Sequence, residues 1–198
     1  MTELGPISAD GMVLAFLRAE FDARRFDPEL VAFARTVGLD VHRLVRDANL
    51  QDGAQNASRR ALLGIFRSHG EAKVLYQGFP EDVAWRRVSA TPAELGQFKY
   101  ANWPDCHILT NGTRRVAEGV KNYRNVLLPA RPDIHVPALI AKLKAGEVLA
   151  PIIAVNGADD VVLVEGHMRA MAYAQVGAPA AVDMILGTSP NIRQWPLY

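Results

Sequence analysis

Cysteine is nearly absent: Cys106 is the one thiol in 198 residues. A single cysteine closes no intramolecular disulfide, and a lone thiol fits a reducing compartment. Neither sign of charge is in excess, since 22 Lys and Arg stand against 21 Asp and Glu for a net charge of +1. Nucleic-acid binding by bulk charge is therefore not implied. No apolar run approaches the ~18 residues of a membrane span, and the opening MTELGPISADGMVLAF is acidic where a secretory signal is positive. The five histidines, His42, His69, His107, His135 and His167, are scattered. With no His-x-His, His-Glu-x-x-His or paired-cysteine spacing, no protein-caged metal is expected. These absences predict a soluble cytoplasmic protein that does not contact membranes. A chain this long buries roughly two thirds to three quarters of the surface its unfolded form exposes, and 49% hydrophobic and 22% charged residues make an ordinary globular composition. Function has to be read from local motifs.

The first seventy residues read as helices. Asp27-Pro28 is an N-cap with proline at the first helical position, and Leu30, Val31, Phe33, Ala34 and Val37 recur at helical spacing before Gly38. Residues 58–68 repeat the pattern, with Ala61, Leu62, Ile65 and Phe66 on one face, Arg59, Arg60 and Arg67 towards the other, and Gly70 as terminator. Residues 12–21 are amphipathic as well. From 71 to 111 the reading is strand and loop, because Val74-Leu75-Tyr76 and Val83-Ala84-Trp85 are interrupted by Gly78, Pro80 and Pro104. Thr91-Pro92-Ala93-Glu94 is a capping box that starts one helix, and another is expected from about Thr113 to about Tyr123.

The last third is the clearest. It reads as a strand at 126–128, a helix at 135–144 ended by Gly146, a strand at 151–155, a turn at Gly157-Ala158-Asp159-Asp160 and a strand at 161–164. A helix at 166–175 stopped by Gly177 and a strand at 181–186 follow. The order is β-α-β-β-α-β. The expected fold class is α+β, a helical N-terminal part (1–120) packed with a C-terminal β-α-β-β-α-β unit (121–198).

Within that unit Val161-Val162-Leu163-Val164 runs into Glu165-Gly166-His167-Met168-Arg169-Ala170-Met171-Ala172 and turns directly from strand into helix. Strand, glycine, helix is a phosphate-binding geometry. Glycine allows a sharp turn and close approach of a ligand, while the first amides of the new helix lack internal acceptors and carry the positive end of the helix dipole. Arg169 lies in the first turn, and its planar fork grips two phosphate oxygens at any working pH. His167 is placed to donate to a phosphate oxygen or to act as an acid. Glu165 reads either as a polar strand end or as a base or metal-holding carboxylate.

From about residue 126 to 187 the chain resembles the ParB/sulfiredoxin-like superfamily, on Pro151-Ile152-Ile153-Ala154-Val155 and on Val161-Val162-Leu163-Val164-Glu165-Gly166-His167-Met168-Arg169. Members place a Gly-x-x-Arg segment at a strand-to-helix turn and follow it with an alanine-rich helix. Departures separate the chain from particular branches. Sulfiredoxins have a catalytic cysteine where His167 stands and a histidine where Met168 stands. ParB proteins carry Gly-Glu-Arg-Arg, matched here only by Gly166 and Arg169, and a helix-turn-helix domain after this unit. The ParB-related free-serine kinases have an acidic residue before the glycine and an arginine at the motif's end, as Glu165 and Arg169 do.

The resemblance implies a nucleotide-binding protein that catalyses phosphoryl transfer or NTP hydrolysis, with ATP or another nucleoside triphosphate and Mg2+ as cofactor and an unknown small molecule as acceptor. In that reading Gly166, Met168 and Arg169 hold phosphate, Arg114 adds a second anionic contact from the Asn111-Gly112-Thr113 turn, and Glu165 and His167 are catalytic. Asp133 and His135 are further pocket groups. The rival reading is a non-catalytic module that binds DNA, a nucleotide signal or a partner protein, in which the arginine pairs Arg59-Arg60, Arg86-Arg87 and Arg114-Arg115 hold backbone phosphate. Trp85, Trp103 and Tyr173 are expected to pack in the core rather than line a cleft, and Asp105-Cys106-His107 is not expected to be a catalytic thiol site, because neighbouring side chains point apart.

Overall fold

The computed structural model describes residues 1–23, 28–68, 75–157 and 159–198. It is a mixed α and β protein, with nine α-helices and one six-stranded mixed sheet among the described residues. The chain divides into two units, Ile7–Gln77 and a larger one made of Met1–Pro6 with Gly78–Tyr198.

The smaller unit holds α1 (Ala9–Asp22), α2 (Pro28–Thr36), α3 (Val41–Val45) and α4 (Gly53–Ser68). Local caps set the starts. Ser8 accepts from the Gly11 amide at 3.0 Å, Asp40 from Arg43 at 3.1 Å, and Asp52 from Ala54 and Gln55 at 2.9 and 3.0 Å. The Asp52 cap begins α4 five residues before the expected position 58. Phe16, Leu17, Ala34, Val45 and Leu62 are buried. Asp27, Gly70 and Val74, which the sequence singled out, lie outside the described residues. Arg59 departs from its expected polar face and is fully buried.

The larger unit contains β1 (Thr2–Pro6), β2 (Ala84–Ala90), α5 (Pro92–Gln97), β3 (Lys99–Tyr100), α6 (Pro104–Leu109) and α7 (Val116–Asn122). It continues through α8 (Pro132–Lys144), β4 (Ile152–Asn156), β5 (Val161–Glu165), α9 (His167–Val176) and β6 (Val182–Thr188). The strands lie in the order β1-β2-β6-β4-β5-β3. β4 is parallel to β6 and β3 to β5, and the other pairs are antiparallel. Leu163, Ile152, Ala154, Met184, Leu186 and Val88 form one core with Ala170, Met171, Val116, Val136 and Leu95 from the helices. Helix α9 packs against α5, α7 and α8. Thr91 caps α5 as expected, its hydroxyl accepting from the Glu94 amide at 3.2 Å while the Glu94 carboxylate accepts from the Thr91 amide at 2.8 Å.

One expectation is corrected here. Residues 126–128 are not a strand: Leu127 is exposed, Leu128 is buried as a loop anchor, and Pro129 follows immediately. Local turns bound the segment instead of a ladder, with the Asn125 amide donating to the Asn122 carbonyl at 2.8 Å and the Arg131 amide to the Leu128 carbonyl at 2.9 Å. Residues 1–120 are mainly helical, as expected, and they also supply β1, β2 and β3 to the sheet. Positions 120 and 121 both lie inside α7, within the larger unit.

Candidate functional site

The turn that the sequence marked is formed as a strand-to-helix junction. Glu165 ends β5, Gly166 takes the left-handed conformation at φ 94° and ψ 23°, and α9 begins at His167 with no side-chain cap. A residue with a Cβ is strained in that backbone region, and space is short as well. A Cβ on Gly166 would meet Arg169 Nη2 at 3.0 Å, Ile152 Cγ1 at 3.2 Å and Arg169 Nε at 3.3 Å. Side chains on a helix lean towards its N-terminus, and Arg169 follows that rule by folding back across the glycine. Gly166 therefore seats the arginine. That role was not visible in the sequence, where the glycine served only the turn and the ligand.

Arg169 is nine-tenths buried. Its Nη2 donates to the carbonyl oxygen of Pro151 at 3.3 Å and to Glu165 Oε1 at 3.4 Å, both at the long end of the hydrogen-bond range. Its Nε is buried and makes no hydrogen bond among the described residues. A buried guanidinium with unused donors is costly, because each unmade bond leaves a desolvation penalty of roughly 1–3 kcal/mol. The Glu165 side chain is 8% exposed and the Arg169 side chain 11%. In the β4/β5 ladder Ile153 pairs with Glu165 and Ala154 with Leu163, so Val164 is an extra residue. This bulge puts Glu165 opposite Ile153 instead of continuing the alternation from Leu163, and bulges of this kind re-aim side chains beside sites.

His167 is half-buried, and its ring stacks on Tyr100 with centroids 5.5 Å apart and planes 19° from parallel. Tyr100 is buried beneath α7, where a Cβ on Gly119 would lie 2.6 Å from the phenolic oxygen. Burial pushes its pKa well above the usual tyrosine range, so the ring meets His167 as a neutral phenol. Tyr100 and the Pro151 carbonyl are the site's neighbours that sequence reasoning missed. The two-residue strand β3 that carries Tyr100 has too few residues to show periodicity. The Met168 side chain packs against the core, which leaves its backbone as the part that faces the turn's chemistry.

The remaining candidates are engaged elsewhere. Arg114 Nη2 donates to the carbonyl oxygen of Tyr198 at 2.8 Å, and burial lowers its pKa. Asp133 accepts two hydrogen bonds from Arg131, at 3.0 and 2.8 Å, which hold its carboxyl below the usual range. With no strand before α8, the reason for gathering Asp133 and His135 with the turn is gone. Every arginine of the three pairs has an intramolecular partner: Arg60 with Asp10, Arg86 with Glu3, Arg87 with Asp183, Arg115 with the Gln97 carbonyl, and Arg59 with the Leu44 and Asn49 carbonyls. Burial pushes the Cys106 thiol up to about 12, so it does not ionise near neutrality. Trp85 and Tyr173 are buried, as expected, and Trp103 is half-buried.

A cleft of about 450 Å³ lies at the other end of the sheet, where Asn156 and Thr188 end the parallel strands β4 and β6. Its Asp82 carboxylate already accepts from Ser189 at 2.6 Å and from Asn191 at 2.9 Å, so its polar lining is tied into a loop. Among the described residues no group of three or more His, Cys, Asp or Glu is placed to hold a metal ion, and no helix is long and apolar enough to cross a membrane. The chain matches no family model, curated protein or solved structure.

Proposed function

We propose that the 166–169 turn binds the phosphates of a nucleotide, and that the chain is a ParB/sulfiredoxin-like protein of phosphoryl transfer or nucleoside triphosphate hydrolysis. The observation that carries this reading is Arg169, nine-tenths buried at the start of a ten-residue helix with its Nε lacking a hydrogen bond. An oxyanion there gains the helix dipole, the opening amides of α9 and the unused donors of a fixed guanidinium. The β4-β5-α9-β6 order, a hairpin followed by a crossover helix, supports the family resemblance for the last third of the chain.

Phosphoryl transfer asks chiefly for positioning and charge neutralisation. Arg169 and the amides following Gly166 hold the phosphates, and His167, stacked on Tyr100, lends a donor at a fixed place. A magnesium ion would supply further charge neutralisation, held chiefly by phosphate oxygens and water. The acceptor is a small molecule that the residues do not name. DNA is a poor fit, because the paired arginines have intramolecular partners.

Calorimetric titration with ATP, ADP, CTP and GTP, with and without magnesium, tests the reading. Binding by the wild type that weakens at least about tenfold in Arg169→Ala is expected. Equal affinity in the variant removes the phosphate grip from this turn.

A further inference from the structure

We infer that Glu165 is a positioning residue, which fixes Arg169 for an incoming phosphate without touching the reacting groups itself. The inference rests on the phosphate reading above and sharpens it. Glu165 and Arg169 stand four residues apart across the junction of β5 and α9, and the left-handed Gly166 between them brings their side chains to the same place. Both are largely withdrawn from solvent, at 8% and 11% side-chain exposure. A base or a magnesium ligand has to be presented to its substrate. This carboxylate is instead presented to a guanidinium, 3.4 Å away.

The geometry also says what the contact does. Arg169 Nη2 is shared between two acceptors, the Pro151 carbonyl at the entrance to β4 and Glu165 Oε1 at the exit of β5. Those two acceptors come from neighbouring strands, so the sheet itself fixes one corner of the guanidinium. Nε makes no hydrogen bond among the described residues, and the fork is left turned towards the helix N-terminus. The bulge at Val164 supports the assignment, because uninterrupted alternation would place Glu165 on the face of Leu163 and not opposite Ile153. A residue held by its neighbour in this way loses less freedom when it binds, which is the source of the gain from preorganisation.

A positioning role and a direct one differ in how two substitutions combine. The probe is inorganic pyrophosphate without metal, titrated calorimetrically into the full chain, with folding of each variant checked by thermal melting. Arg169→Ala is expected to weaken binding at least about tenfold. Glu165→Ala is expected to weaken it about three- to tenfold, and the double variant to bind no worse than Arg169→Ala, because Glu165 acts through the arginine. Glu165→Gln keeps an oxygen to accept from Nη2 and is expected to bind within about threefold of wild type. This variant keeps the test sharp if Glu165→Ala fails to fold.

Additive losses in the double variant would overturn the inference and leave the phosphate reading standing. So would a tenfold change in either direction in Glu165→Gln: a gain because a carboxylate facing the ligand repels phosphate, a loss because the amide keeps the oxygen that accepts from Nη2. Pyrophosphate that does not bind wild type, or binds Arg169→Ala equally well, would remove the phosphate reading and this inference with it.

Discussion

Among the described residues two arginines are buried, and they are buried for different reasons. Arg59, in the middle of α4, is fully enclosed; its two terminal nitrogens donate to the Leu44 and Asn49 carbonyls and to the side chains of Gln55 and Asn56. Arg169, at the start of α9, makes two long contacts through one nitrogen. Both leave Nε without a hydrogen bond among the described residues, so an orphan atom alone does not distinguish them. The distinction lies in the rest of the fork and in its place in the fold. Arg59 closes the turn between α3 and α4 by binding carbonyls on both sides of it, those of Leu44 and Asn49. Arg169 sits beside a left-handed glycine at an uncapped helix start, where an anion is favoured. Burial of a charge marks structure when its donors are used, and a site when they are held open.

The comparison breaks most visibly at Arg59. Arg59→Ala strips hydrogen bonds from two carbonyls and two side chains and leaves a cavity, so it is expected to lower the unfolding free energy by about 3 kcal/mol in urea titrations. A loss below about 1 kcal/mol would mean that the four bonds were not holding the α3–α4 turn. Arg169→Ala is expected to lower stability by only about 1 kcal/mol while removing nucleotide binding. If the two arginines destabilise equally, the contrast between a used fork and an open one fails.

Gly166→Ala should reproduce the binding defect with the arginine still present. The positive φ costs about 1 kcal/mol for a residue with a Cβ, and that Cβ would press on Nη2 at 3.0 Å. Calorimetry with pyrophosphate should then show a loss close to that of Arg169→Ala. Normal binding would mean that the arginine does not need its seat.

The smallest expected effects concern groups that burial has silenced. The Tyr100 hydroxyl is buried without a hydrogen bond among the described residues, so Tyr100→Phe should be neutral or stabilise by up to about 1 kcal/mol in thermal melts. A loss of that size would reveal a partner for the phenol. Cys106, with its pKa raised by burial, stays a protonated thiol at pH 8. Alkylation by iodoacetamide should be about a thousandfold slower in the folded chain than in the unfolded one, and equal rates would contradict the burial.

What could be read from the sequence was local. Thr91 and Glu94 satisfy each other within three residues, and the passage from Val164 through Gly166 into the alanine-rich helix is set by neighbours in the chain; both were found where expected. The strands drawn from the first hundred residues were not legible. β2 is covered on both faces, with Trp85 on one side and Val88 and Ala90 on the other, so it lacks the clean alternation of a half-buried strand. Its arginines find Glu3 and Asp183 only through long-range pairing. At the site, the residue types of the turn were visible, whereas Tyr100 under His167 arrives from β3 and Pro151 beside Arg169 from the residue before β4. Spacing along one segment carries no information about either.

The most direct test of the phosphate turn is a ¹H–¹⁵N NMR titration of the labelled chain with pyrophosphate, because it reads each donor separately. The largest shifts are expected at the Met168 and Arg169 amides and at the Arg169 Nε–H, saturating together. Shifts confined to Asn156, Gly157 and Thr188, around the cleft at the opposite end of the sheet, would contradict it.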